Sequence, residues 1–287
     1  MKKILFITFV LFYTFLEANT ASLRVQPSIL QSNTNSYIII DTRAPSLYKK
    51  GHIDTAINFP VKLTYAHQQV NGKLTDPFSM QIIIQNLGLH IDDKIVIYDD
   101  GSFFDAARLF WALEVYGFND VKLLNAGYNQ WKELDYKTST KTPILEKSDY
   151  ITIIDNKRLA TKFATQVATK NPNQIIIDAR GNNAYIGEVS AAKRYGHIPK
   201  AINIPATHNI NHNKELVELK GIDALQDLYK DIDKDKKVII YCAIGKISAT
   251  NYFAMRELGY NVSNYDASWK EWGNDFKLPI DNPSKNK

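Results

Sequence analysis

Gly51-His52-Ile53-Asp54-Thr55-Ala56-Ile57-Asn58-Phe59-Pro60 and Gly196-His197-Ile198-Pro199-Lys200-Ala201-Ile202-Asn203-Ile204-Pro205 are two copies of one segment in a 287-residue chain. Each copy follows an apolar run that ends in Asp-x-Arg: Tyr37-Ile38-Ile39-Ile40-Asp41-Thr42-Arg43 in the first and Ile175-Ile176-Ile177-Asp178-Ala179-Arg180 in the second. Each precedes a second apolar run, Lys94-Ile95-Val96-Ile97-Tyr98-Asp99 and Lys237-Val238-Ile239-Ile240-Tyr241-Cys242. Each ends in a tryptophan segment, Gly127-Tyr128-Asn129-Gln130-Trp131 and Ser268-Trp269-Lys270-Glu271-Trp272. A repeat of roughly 140 residues is a duplicated domain, not a stack of short solenoid units.

The runs between these landmarks set the fold class. Short β-branched apolar stretches alternate with stretches of helical spacing. Ala106, Leu109, Phe110, Leu113 and Tyr116 share one face of a helix that Gly117 stops. Tyr252, Met255 and Leu258 do the same before Gly259. Buried strands alternating with helices predict an α/β protein with a parallel sheet flanked by helices in each half. In such sheets chemistry gathers at the carboxyl ends of the strands, where Asp99 and Cys242 fall.

Cys242 is the single cysteine of the chain. It is predicted to end a strand and to open a tight turn, Ala243-Ile244-Gly245-Lys246-Ile247-Ser248, into a helix. Such a turn aims backbone N–H groups and a helix N-terminus at the sulfur, and both favour thiolate. An ordinary thiol titrates near pH ~8.5, so the loop has to lower that value for reaction at neutral pH. Gly245 fits a position of positive φ. Lys246 supplies a cation for the thiolate or for an anionic substrate, or is simply solvated. Ser248 is expected to cap the helix, with a bond to sulfur as the alternative. Asp99 stands where Cys242 stands in the second copy, so the first copy lacks the thiol.

The ends of the chain carry other signals. Lys2-Lys3, the apolar run 4–15 and the small polar stretch 16–22 read as a secretory signal over residues 1–21, cleaved near 18–21. The apolar run is too short to span a bilayer, so no stable membrane span is expected after cleavage. The mature protein is expected to be exported, periplasmic in a bacterium or otherwise secreted. An exposed lone thiol there is a hazard unless it is used. The formal net charge of +5 is scattered, which argues against nucleic acid as a partner. Residues 22–136 form the expected N-terminal domain, 137–148 a linker containing Pro143, and 149–287 the C-terminal domain. His208 and His212 are four apart in a loop-like stretch with no third ligand nearby, so neither metal nor cofactor is expected.

These motifs together resemble the two-domain rhodanese family, the thiosulfate and 3-mercaptopyruvate sulfurtransferases. The resemblance rests on the paired Asp-x-Arg, the segment 196–205, Tyr241-Cys242-Ala243-Ile244-Gly245, the run 265–273 and Tyr98–Phe103. It implies two tandem rhodanese-like domains with catalysis in the second. It implies a Cys242 persulfide that takes sulfur from a small anionic donor and gives it to cyanide or a thiol. Arg108 and Arg194 are candidates to bind the donor. Asp178, Arg180 and His197 are expected to support the loop, because their counterparts recur in the half without the cysteine.

Two departures stand out. The position two after the cysteine, basic in thiosulfate-type members and serine in mercaptopyruvate-type members, is Ile244. The substrate-contacting arginine a few residues after the second Asp-x-Arg is replaced by Ala184. An exported persulfide carrier with little turnover is therefore the alternative. A cysteine phosphatase is disfavoured, because no arginine closes the loop before Arg256.

Overall fold

The computed structural model describes residues 22–66, 72–212 and 217–286. The expected secretory signal, residues 1–21, lies outside the described residues.

Two five-stranded parallel sheets repeat one topology. The first contains β1 (Arg24–Val25), β2 (Ile38–Asp41), β3 (Ile57–Asn58), β4 (Ile95–Tyr98) and β5 (Val121–Leu124), in the order β1-β5-β4-β2-β3. The second contains β6 (Leu159–Ala160), β7 (Gln174–Asp178), β8 (Ile202–Asn203), β9 (Lys237–Tyr241) and β10 (Val262–Tyr265), in the order β6-β10-β9-β7-β8. The register repeats too: Tyr98 lies opposite Asp41, and Tyr241 opposite Asp178.

The helices predicted from spacing are present as α1 (Phe104–Val115) and α2 (Ser248–Glu257). Gly117 (φ +90°) and Gly259 (φ +81°) take the left-handed conformation just beyond them, as helix-ending glycines do. α1 and α2 pack on each other, with Phe110 edge-on to Phe253 at 5.0 Å between ring centroids. One core therefore runs from sheet to sheet through both helices, while a separate cluster covers the outer face of each sheet.

Strand alternation explains where the site looks. Val238, Ile240 and Cys242 join the central core, whereas Ile239 and Tyr241 join the outer cluster of Trp269 and Trp272. The period of two thus turns the Cys242 side chain toward the other half of the molecule. Ile95 and Ile97 share the phase of Asp99 and face the same central core from the opposite side.

The stretch 137–148 runs along the N-terminal half. Thr138–Ser139 pairs antiparallel with His52–Ile53, and the Ser148 N–H donates to Gln85 O. Tyr65 and Leu74 form an antiparallel bridge, and Thr75 N–H donates to Thr64 O; residues 67–71 lie outside the described residues.

Candidate active site

Cys242 has no exposed surface. Burial alone would suit an inert packing cysteine. Its surroundings are polar, however. Ser248 Oγ lies 3.3 Å from Cys242 Sγ and 2.8 Å from Asn264 Oδ1, and Asn264 Nδ2 donates to Gly245 O at 3.1 Å. Ser248, Asn264 and Cys242 are all fully buried. Because Asn264 commits its NH2 to Gly245, its oxygen faces Ser248. The Ser248 hydroxyl then bonds Asn264 when the sulfur is a thiol, and can turn its proton to the sulfur when it is a thiolate.

Ser248 therefore does not cap the helix, contrary to the expectation from sequence. Ile247 occupies the cap position and no side chain caps this end. Ser248 sits at the first helical turn, facing inward, where sulfur and Asn264 compete for its proton.

The backbone of the loop is unspent. None of the N–H groups of residues 243 to 248 donates to an acceptor among the described residues, and Ala249 is the first to do so, to Lys246 O. Gly245 adopts φ +71°, and a Cβ there would collide with Asp266 O. Six N–H donors without an acceptor among the described residues, next to a helix N-terminus, are the makings of an anion-binding cup. The Cys242 N–H itself is bonded to Ser268 Oγ at 3.2 Å, and Trp269 N–H donates to Cys242 O at 3.0 Å, which fixes the strand end.

The first half has the same strand end with its cup filled. The Asp99 carboxylate accepts from the N–H groups of Gly101 (2.8 Å), Phe103 (3.1 Å) and Ala106 (3.2 Å). Burial pushes the Asp99 carboxyl up to about 6, against the pull of those amides.

The N-terminal half contributes the other wall. Gly72 packs backbone to backbone on Ile244, and its φ of +104° with no Cβ permits that approach. Leu74 N–H donates to Asp266 Oδ1 at 2.8 Å, and Lys73 pairs with Glu271 at 3.2 Å. Burial pushes the Asp266 carboxyl up to about 6, although the Arg108 guanidinium 4.0 Å away and the Leu74 amide pull it down. Lys246 pairs with Asp105 of α1, so the loop cation is met by a carboxylate from the other half.

The predicted site residues divide cleanly. Arg108 is brought to the loop: it is fully buried and its Nη1 donates to Gly245 O at 3.0 Å. Arg194 is not: its guanidinium donates to the carbonyls of Trp272, Gly273, Asp275 and Leu278, bracing the C-terminal segment. Arg180 grips Asp178 with two bonds at 2.9 and 2.6 Å, and Tyr241 OH donates to the same carboxylate at 2.6 Å. His197 stacks on Tyr185 at 3.9 Å and bonds its carbonyl. Arg43, Asp41, Tyr98 and His52 repeat this frame in the half without the cysteine, so it is a support for the strand end. Sequence reasoning missed Asn264. Its signal was available: Asn264 falls in a fully buried strand where the first copy has Leu123.

The Rhodanese-like domain family matches residues 28–134 and 159–275. A Haloferax volcanii protein named as a candidate thiosulfate sulfurtransferase is 32% identical over 253 residues, covering 84% of this chain and 86% of its own. The 3-mercaptopyruvate sulfurtransferase of Escherichia coli K12 is 28% identical over 248 residues, covering 84% and 87%. The crystal structure of SseA from Escherichia coli, described for the rhodanese fold and mechanism of 3-mercaptopyruvate sulfotransferases, superimposes with a TM-score of 0.77 at 26% identity, covering 87% of this chain and 99% of SseA. The same domain matched twice, with relatives aligned along most of both chains, makes this protein a member of the two-domain rhodanese family of sulfurtransferases.

Proposed function

We propose that Cys242 carries sulfane sulfur as a persulfide between a small anionic donor, thiosulfate or 3-mercaptopyruvate, and a thiophilic acceptor, cyanide or a thiol. The observation that carries this reading is the Cys242 sulfur, beside the Ser248 hydroxyl, at the start of a loop whose N–H groups at 243–248 meet no acceptor among the described residues. The Cys242 thiolate attacks the outer sulfur of the donor. From thiosulfate the S–S bond breaks and sulfite leaves with the electron pair. From 3-mercaptopyruvate the C–S bond breaks, and the leaving pyruvate carbanion takes up a proton. The acceptor then attacks the outer sulfur of the persulfide and regenerates the thiolate. The loop amides bind the negative charge of the outer sulfur and of the donor. Because Cys242 has no exposed surface, a donor reaches it only when neighbouring structure gives way.

Intact mass spectrometry after incubation with each donor tests the reading. The expected result is a gain of one sulfur, absent in Cys242→Ala and removed by cyanide. No gain with any donor overturns it. The commitment of Arg194 to backbone carbonyls favours a second reading, a persulfide carrier loaded by a partner. That reading is distinguished by loading from a protein persulfide and not from thiosulfate or 3-mercaptopyruvate. The leader-like residues 1–21 support an exported location.

A further inference from the structure

Arg108 belongs to α1, in the half without the cysteine, yet it serves the loop that follows Cys242. It has no exposed surface. Nη1 donates to Gly245 O at 3.0 Å, Nη2 to Gly72 O at 2.9 Å, and Nε to Thr64 Oγ1 at 3.3 Å. The Tyr65 and Trp111 rings face the guanidinium, with centroids 4.5 and 4.6 Å from its central carbon. A buried cation costs several kcal/mol unless hydrogen bonds, rings and counter-charge offset it. The nearest carboxylate, Asp266, is 4.0 Å away. So much structure around one charge calls for a reason beyond packing.

The reason lies in the carbonyl it holds. Gly245 O accepts from Arg108 of one half and from Asn264 Nδ2 of the other, at 3.0 and 3.1 Å. In a trans peptide the C=O and the following N–H point in opposite directions. Drawing Gly245 O toward Arg108 and Asn264 therefore turns the Lys246 N–H away from them, and that N–H is one of the unspent donors of the cup. A cation on the carbonyl also polarises the peptide and strengthens its N–H as a donor. Counting back from Gly117 and Gly259, the counterpart of Arg108 in α2 is Thr250. The C-terminal half thus has no arginine of its own at this place.

We propose that Arg108 is a positioning residue of the Cys242 centre, holding the Gly245 carbonyl outward so that the loop N–H groups stay turned toward the sulfur and its anionic cargo. The proposal rests on the sulfur-transfer reading and gives the N-terminal half a part in the reaction.

The test compares Arg108→Gln and Arg108→Lys with the native protein in two assays, after circular dichroism and thermal melting establish folding. The first is the rate of Cys242 alkylation by iodoacetamide across a pH series. The second is steady-state turnover of thiosulfate with cyanide. In Arg108→Gln, alkylation at neutral pH is expected to slow about tenfold, with its profile displaced toward alkaline pH, and kcat to fall more than KM rises. Arg108→Lys, which keeps the charge but not the fork, is expected to lie between. A folded Arg108→Gln with the native alkylation rate and profile overturns the proposal, whether its only change is a lower melting temperature or a raised KM. Should Arg108→Gln fail to fold, Arg108→Lys decides by the same criteria. Alkylation needs no sulfur donor, so failure of every donor to load the native protein would sink the sulfur-transfer reading and leave the Arg108 test readable.

Discussion

Asp99 and Cys242 end equivalent strands, each one residue past a tyrosine whose hydroxyl donates to the Asp of Asp-x-Arg: Tyr98 to Asp41 at 2.7 Å, Tyr241 to Asp178 at 2.6 Å. Beyond that point the halves diverge. Asp99 fills its own loop with a carboxylate, bonded to three backbone amides. Cys242 is shorter, and its loop amides 243–248 meet no acceptor among the described residues. At a duplicated position, one half has a carboxylate that satisfies its own loop amides and the other a thiol that does not.

The filled cup of the first half predicts a pH effect on stability. The Asp99 carboxyl titrates near 3.8 when unfolded and is raised to about 6 by burial in the native protein. The native state therefore holds a proton that the unfolded state has released between about pH 4 and pH 6. The stability contributed by protonated Asp99 is present at low pH and is lost as pH rises through about 6. Relative to Asp99→Asn, the native protein should lose on the order of 3 kcal/mol across that window and change little above it. Urea midpoints measured for both proteins along a pH series check this; a difference that does not vary with pH refutes it.

Ser248→Ala removes the hydroxyl that lies 3.3 Å from the sulfur and 2.8 Å from Asn264 Oδ1. We expect sulfur loading of Cys242 to slow about tenfold and stability to drop by about 1–3 kcal/mol, as a buried acceptor loses its partner. Ser248→Thr should restore loading if it folds as the native protein does. Loading rates followed by mass spectrometry decide the matter: an unaffected Ser248→Ala would reduce Ser248 to packing.

Glu114 joins the halves. It accepts from Tyr252 OH at 2.5 Å and Arg256 Nη2 at 2.8 Å, and it is nearly buried. Glu114→Ala leaves the Arg256 charge and the Tyr252 hydroxyl at the interface without their acceptor. The expected cost is about 3 kcal/mol, seen as a lower urea midpoint. A midpoint within experimental error of the native one would show that water replaces the carboxylate at no cost.

The legible parts of this fold were those with a local cause. Apolar runs 38–40 and 238–241, the glycines after α1 and α2, and the duplicated Asp-x-Arg announced the strands, the helix ends and the strand-end frame. Asp99 opposite Cys242 was legible because the repeat supplied its own control. What stayed hidden depends on contacts between residues far apart in the chain. Arg108 meets Gly245, Asn264 meets Ser248, and Gly72 meets Ile244 only after the halves pack. Ser248 was misread for the same reason: serine before a helical run signals a cap, and only the position of Asn264 in β10 draws its hydroxyl inward. Arg194 was placed near substrate by its neighbours in sequence, whereas the C-terminal segment engages all three of its guanidinium nitrogens.

The Lys246–Asp105 pair makes the last prediction, because it sets the charge presented to an anionic donor. Lys246 lies in the loop after Cys242 and Asp105 in the first turn of α1; both are partly exposed. Their separate removal should act in opposite directions. Lys246→Gln leaves a carboxylate beside the cup, repels thiosulfate and should raise KM several-fold at low ionic strength. Asp105→Asn frees the ammonium group for the donor and should lower KM by a similar factor, with kcat less affected. Added salt should shrink both effects, since both ions reach solvent. Steady-state kinetics at two salt concentrations tests this: changes of the same sign in the two variants would mean that the pair works by holding the loop and not by charge.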